Sequence, residues 1–145
     1  MKNQEAFLSS QSMPSQVTDE YWLYAERKKG QYPEATAKSG KWLIFVPVSQ
    51  LDEMWAKIRR ATEDGRLGDS AKVATAKPNP NSTDLATKVI CVYTYDWTDR
   101  GDASRIRQEL RALGIVAKIP YKADHDTLVG RYAKRGHKRI SKYYE

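Results

Sequence analysis

Gly40-Lys-Trp-Leu-Ile-Phe-Val-Pro47, followed at once by residues 49–58 (SQLDEMWAKI), reads as a strand handing directly to an amphipathic helix. Residues 42–46 are an unbroken apolar run, mostly β-favouring, closed by Pro47, which is the pattern of a strand buried on both faces. Leu51, Met54, Trp55 and Ile58 recur at i, i+3, i+4 and i+7, one face of a helix. Ser49, with Asp52 three residues on, reads as the helix start. Trp42 and Trp55 are therefore expected in the core, where this strand meets its helix.

Working outward from this segment, residues 18–25 (TDEYWLYA) read as a first strand, with Trp22 and Tyr24 on one face and Tyr21 and Leu23 on the other. A polar loop spans 26–39, and its one large apolar residue is Tyr32, set before Pro33. Gly65 and Gly68 end the helix. Residues 71–77 alternate, with Val73, Thr75 and Lys77 on one face and Lys72, Ala74 and Ala76 on the other. Residues 78–86 are loop by composition, and 88–95 (KVICVYTY) carry the clearest strand pattern of the chain. Asp102 is expected to cap a second helix whose apolar stripe is Ala103, Ile106, Leu110 and Leu113, with Gly114 just past its end. Residues 115–121 alternate as a last strand, which Pro120 places at an edge or brings to an end. This order predicts an α+β fold: a curved, mainly antiparallel sheet with helices packed on one face. The expected organisation is an N-terminal tail over 1–17, a single domain over 18–132 and a basic tail over 133–145.

At 145 residues, 40% hydrophobic and 30% charged, the composition is that of one soluble domain. No apolar run is long enough for a membrane span, and the first residues lack the apolar core of a signal peptide. A cytosolic location is the expectation. The single cysteine, Cys91, sits in a strand pattern and is expected to be a buried thiol. The net charge is +7, and residues 121–145 carry seven Lys/Arg against three Asp/Glu. In that stretch Arg131, Lys134, Arg135, Lys138, Arg139 and Lys142 interleave with Tyr132, His137, Tyr143 and Tyr144, cations for phosphates beside aromatic faces for bases.

The succession Gly-Lys-Trp-Leu-Ile (40–44), Leu-Asp-Glu-Met-Trp (51–55), Ala-Lys-Val-Ala-Thr (71–75), Val-Ile-Cys-Val-Tyr-Thr (89–94) and Pro-Tyr-Lys-Ala-Asp (120–124) resembles the family of the basophilic leukaemia-expressed protein, Bles, from about Tyr21 to Tyr132. The resemblance implies the fold of the cap-binding translation initiation factors, a 4E-like sheet. It also implies a site: Tyr32 as stacking platform with Glu34 near for a base edge, and Lys77, more loosely Lys72, as phosphate clamp. Arg131 and Lys134 are candidate outer cations. Bacterial members have been labelled phosphothreonine lyases, which would need a lysine base (Lys72 or Lys77) and an acid such as His125 or His137.

Other chemistry finds little footing. Asp124-His125-Asp126 are adjacent and lack a second His/Cys cluster, so no metal is expected. The sequence has no phosphate-cradling P-loop, dinucleotide fingerprint or nucleophile elbow, and no cofactor is expected. The run Asp96, Asp99 and Asp102 around Trp97 is explained by helix capping and a solvated turn. The expectation is a domain that binds a phosphate-bearing ligand, most simply a nucleotide or RNA 5′ end, in a basic cleft. The alternatives are a lyase acting on a phosphoprotein, and a non-catalytic scaffold for protein partners.

Overall fold

The computed structural model describes residues 13–78, 86–125 and 141–145. A 3-10 turn at Pro14–Gln16 is followed by β1 (Trp22–Glu26), β2 (Gly40–Pro47), α1 (Val48–Glu63), β3 (Ser70–Ala74), β4 (Thr87–Thr94), α2 (Arg100–Ala112), β5 (Pro120–Ala123) and β6 (Ser141–Tyr144). The strands form one six-stranded sheet in the order β1-β3-β4-β2-β5-β6, with every pairing antiparallel. β2 pairs with β4 along its whole length, from Gly40↔Thr94 to Pro47↔Thr87, and with β5 from Gly40↔Ala123 to Trp42↔Tyr121.

The period-2 alternation of each strand sorts its side chains between two faces. Trp42, Ile44 and Val46 of β2, Ala71 and Val73 of β3, and Ile90 and Val92 of β4 join one core with Leu51, Trp55 and Ile58 of α1 and Ile106 and Leu110 of α2. Burying each large apolar side chain of α1 is worth about 1.5–3 kcal/mol. Met54 completes the expected stripe from a half-buried position at the edge of the core. The other face of β2 is buried only as far as Leu43, and Phe45 is 59% exposed, so the strand is not covered on both sides throughout.

Local interactions move several expected boundaries. The first strand begins at Trp22 rather than near residue 18. The helix after β2 starts at Val48, before Ser49, so its cap position is Pro47, which has no side-chain acceptor; Asp52 is turned instead to Ser15, accepting from its backbone N–H at 2.9 Å and its hydroxyl at 2.5 Å. α2 is capped not by Asp102 but by Asp99, whose carboxylate accepts from the Asp102 N–H at 3.1 Å. β3 ends at Ala74; just past it the Thr75 N–H still reaches Tyr21 O in the β1 register, and its hydroxyl donates to Glu20 O.

The last predicted strand is displaced most. Residues 115–118 do not pair as a strand, Ile119 exchanges both backbone hydrogen bonds with Glu145, and Pro120 opens β5 rather than closing it. The cause is Arg107, only 1% exposed, whose guanidinium donates to the carbonyls of Ile115, Ala117 and Glu145, each at 2.8 Å. These bonds hold the chain after α2 against the helix. Ser141–Tyr144, within the stretch read as a basic tail, form the edge strand β6. The glycine stops fall as expected: Gly65 (φ 79°) and Gly114 (φ 103°) both adopt the left-handed conformation just past a helix end.

Two stability predictions follow from these contacts. Arg107→Met would leave the Ile115 and Ala117 carbonyls without a donor, while Glu145 O keeps the Ile119 N–H. It is expected to lower the unfolding free energy by about 3 kcal/mol, read by urea denaturation. The Trp42 indole donates to Ala103 O at 3.1 Å, whereas the Trp55 indole nitrogen, equally buried, has no partner among the described residues. Trp42→Phe is therefore expected to cost about 1–2 kcal/mol more than Trp55→Phe in the same measurement. Equal losses would show that ring volume alone matters.

Candidate ligand-binding face

The sheet face turned away from α1 and α2 collects the residues that the strands do not send to the core. Its middle row, read across the ladder, is Tyr24, Lys72, Cys91 and Leu43. The row above it is Tyr93, Lys41, Lys122 and Ser141. Below lie Trp22 beside Ala74 and Phe45 beside Val89. One face thus presents three lysines and four aromatic rings.

Its accessible part lies toward β1. Tyr24 is 65% exposed, Trp22 is half-buried, and Lys72 Nζ stands 4.0 Å from the Trp22 ring centroid. A lysine held over an indole keeps its charge at the surface while its stem covers the ring. Lys41 is committed differently: nearly buried, it forms a 2.7 Å ion pair with Asp124, which also accepts from Ser39 Oγ at 2.7 Å. Cys91 lies beneath these lysines, and burial pushes its thiol up to about 11 despite the opposing pull of Lys72 and Lys41.

At the upper end of this face, the β1–β2 loop closes a cleft of about 110 Å³ lined by Tyr32, Ala35, Ser70, Tyr93, Tyr95 and Asp124 among others. Tyr32 is the anchor of that loop. Its hydroxyl donates to Asp102 at 2.5 Å and accepts the Tyr95 N–H at 3.1 Å, and its ring meets Tyr95 edge-on with centroids 5.5 Å apart. Burial, then the Asp102 hydrogen bond, holds the Tyr32 phenol far above the ordinary tyrosine range. Arg27 covers the ring at 5.1 Å while donating to Leu67 O and Gly68 O. Burial likewise raises the Tyr93 phenol, which faces into the cleft without a hydrogen bond among the described residues. Nearby, hydrogen bonds from Thr98 hold the Asp96 carboxyl below its usual range, and the Tyr95 hydroxyl does the same for Asp99.

The structure brings some of the sequence-derived candidates together and separates others. Tyr32 lines the cleft with Ser70, and Lys72 lies two residues further along the same face of β3. Glu34 is exposed on the same loop. Lys77 lies beyond the far end of β3, which spans about 13 Å from Ser70 to Ala74. There its Nζ sits 4.3 Å from the Tyr21 ring centroid. His125 is exposed next to Asp124, near the upper end. Lys72, Lys77 and His125 therefore occupy three different levels of the sheet and do not converge as an acid and base must. Arg131, Lys134 and His137 lie outside the described residues. Trp22, Tyr24, Tyr93 and Lys122 had no assigned role in the sequence reading, and Lys41 was left between a solvated strand end and a site residue. Strand alternation pairs them correctly, but only the helix positions reveal which face is open.

An antiparallel sheet of this order with helices packed on one side is the fold of the translation initiation factor eIF4E. The solved structures agree. The chain is similar to schistosome eIF4E complexed with m7GpppA and 4E-BP, at TM-score 0.66 and 16% identity over 100% of this chain and 81% of that one. The corresponding m7GpppG complex matches with the same values. C. elegans eIF4E-3, in complex with the 4E-binding protein Mextli and a cap analog, matches at TM-score 0.52 and 24% identity over 74% of this chain and 64% of that one. The sequence model of the family described as "Basophilic leukemia-expressed protein Bles03" matches residues 32–130, and the chain belongs to that family. No described helix is long and apolar enough to cross a membrane.

The environment of Cys91 makes a direct prediction. At pH 8 the folded protein is expected to resist a disulfide-exchange reagent such as DTNB, and denaturant is expected to release one thiol per chain. Rapid labelling without denaturant would place Cys91 at the surface instead.

Proposed function

We propose that this protein is a binding module for a phosphate-bearing ligand, most specifically a nucleotide or RNA 5′ end, received on the open face of the sheet. One observation carries the reading: Trp22, Tyr24 and Tyr93 share that face with Lys72, beside the cleft closed by Tyr32. Aromatic faces give a base its stacking surface, and a lysine gives the phosphate its counter-charge. Lys72 is the favoured phosphate contact because it lies within one ligand length of the aromatic rings. Lys77, at the far end, belongs to a longer ligand if it takes part. Tyr32 acts in this reading as a wall of the cleft rather than a free platform, since Asp102 holds its hydroxyl and its ring is packed between Arg27 and the edge of Tyr95. The eIF4E structures with m7GpppA and m7GpppG support the reading by fold.

The test is titration with 7-methyl-GTP, GTP and a 5′-triphosphate RNA oligomer, followed by tryptophan fluorescence. Binding is expected to quench Trp22 and to weaken as salt rises. Tyr24→Ala is expected to cost about 1–3 kcal/mol of binding through lost stacking. Lys72→Gln is expected to weaken every phosphate-bearing ligand by roughly fivefold and to flatten the salt dependence. Binding that is absent at low salt, or indifferent to Lys72, would remove the open face as the site.

A further inference from the structure

The outermost strand of the sheet presents an unused edge. β1 stands first in the strand order and pairs on one side only, with β3. Its register runs from Trp22↔Ala74 to Glu26↔Ser70 and continues at both ends, where the Thr75 N–H reaches Tyr21 O and the Arg27 N–H reaches Asp69 O. These two bonds fix the phase of the ladder. Tyr21, Leu23, Ala25 and Arg27 turn their main-chain groups to β3, so those of Trp22, Tyr24 and Glu26 point away from the sheet. The three N–H and three C=O groups have no partner among the described residues. An edge of this kind is a template for another strand, and β1 has neither a proline nor a bulge to protect it.

The residues around β1 say which strand fits. Asp19 and Glu20 precede it, Lys28 and Lys29 follow it, and all four are exposed. Neither carboxylate is in an ion pair among the described residues. The two lysines reach Glu63 and Asp64 at 3.4 and 3.6 Å with side chains still 69% and 74% exposed, so their charge remains at the surface. A second copy laid antiparallel, with Tyr24 opposite its own counterpart, sets Trp22 opposite Glu26 and uses every free main-chain group of both strands. A register shifted by two residues would leave part of the edge unbonded. The same alignment sets Glu20 against Lys28 and Asp19 against Lys29 of the second copy, whereas a parallel copy would set like charge against like. On the helix side, Leu23, half-buried at the rim of the core, comes opposite Ala25 of the second copy.

We propose that β1 is a self-association edge: two copies of this chain pair β1 to β1, antiparallel about Tyr24, and join their sheets into one. The two-fold axis runs perpendicular to the sheet, so the contact is isologous and both open faces lie on the same side. An edge of five residues buries less than the roughly 1,600 Å² of a standard stable interface. The association is therefore weak, with a dissociation constant on the order of 100 μM. It rests on main-chain groups and flanking charges and is independent of the nucleotide reading.

The experiment is sedimentation of the full chain without ligand from about 5 μM to about 1 mM, with backbone amide exchange measured at both ends of that range. A monomer–dimer equilibrium that weakens as salt rises is expected. The Trp22, Tyr24 and Glu26 amides are expected to exchange fast in the dilute sample and to gain about threefold protection or more in the concentrated one, while Leu23 and Ala25 are protected in both. Asp19→Lys/Glu20→Lys and Lys28→Glu/Lys29→Glu are each expected to raise the dissociation constant about tenfold, and an equimolar mixture of the two is expected to restore it. A monomer throughout, a dimer formed without protection of the three amides, or a mixture no tighter than its components would overturn the proposal. So would protection of those amides already in the dilute monomer, which would mean that the edge is filled from within the chain. The wild-type exchange comparison decides the matter even where a variant does not fold.

Discussion

The hydrogen bond from the Trp42 indole to Ala103 O, at 3.1 Å, is the joint on which the rest of the structure turns. Trp42 is fully buried on the central strand, and its ring meets Tyr121 of β5 edge-on at 5.2 Å and Tyr143 of β6 at 6.1 Å. Three strands and α2 thus meet on one side chain. The bond also fixes where α2 begins, and a chain of polar contacts depends on that position. Asp102, in the first turn of α2, receives the Tyr32 hydroxyl, which in turn receives the Tyr95 N–H. The loop that closes the upper cleft is therefore held, through α2, by the central strand.

This arrangement divides the labour between two faces of one sheet. The helix side is sealed by apolar packing, and the two charged side chains buried there have opposite fates. Arg107 finds three carbonyls and becomes a fastener, while Lys88 finds no partner among the described residues and lines a cavity. On the other side the lysines are drawn off by different neighbours: Lys41 by Asp124, Lys72 by the Trp22 ring. Charge is thus available at specific places rather than as a uniform basic surface, although the chain as a whole carries +7. Net charge made an anionic partner worth considering, and only the neighbours of each lysine say where it would bind.

The strongest local patterns were legible because their physics is local. The unbroken run 42–46 and the 51/54/55/58 stripe gave β2 and α1, and the glycines after each helix marked its end. The family was legible on the same residues. The errors fell where a distant residue outbid a local preference. Asp52 turned to Ser15, Asp99 displaced Asp102 as cap, and Arg107 kept residues 115–118 from strand pairing. The candidate site was half legible. Tyr32 was singled out by its isolation in a polar loop and Lys72 by its small neighbours. Trp22, Tyr24 and Tyr93 were passed over because alternation says which residues share a face without saying which face is open.

The sequence by itself therefore determined the element types, the family and the two tryptophans of the core, since periodicity and turn chemistry act within a few residues. Only the tertiary structure decided that Lys72 and Lys77 lie at different levels of the sheet, that Ser141–Tyr144 close its edge, and that Arg107 is buried against three carbonyls. Those outcomes depend on strand order and on contacts between residues far apart in the chain. In Gly40–Pro47 the two kinds of information meet: its own residues made it a strand, and its partners made it the centre of the sheet.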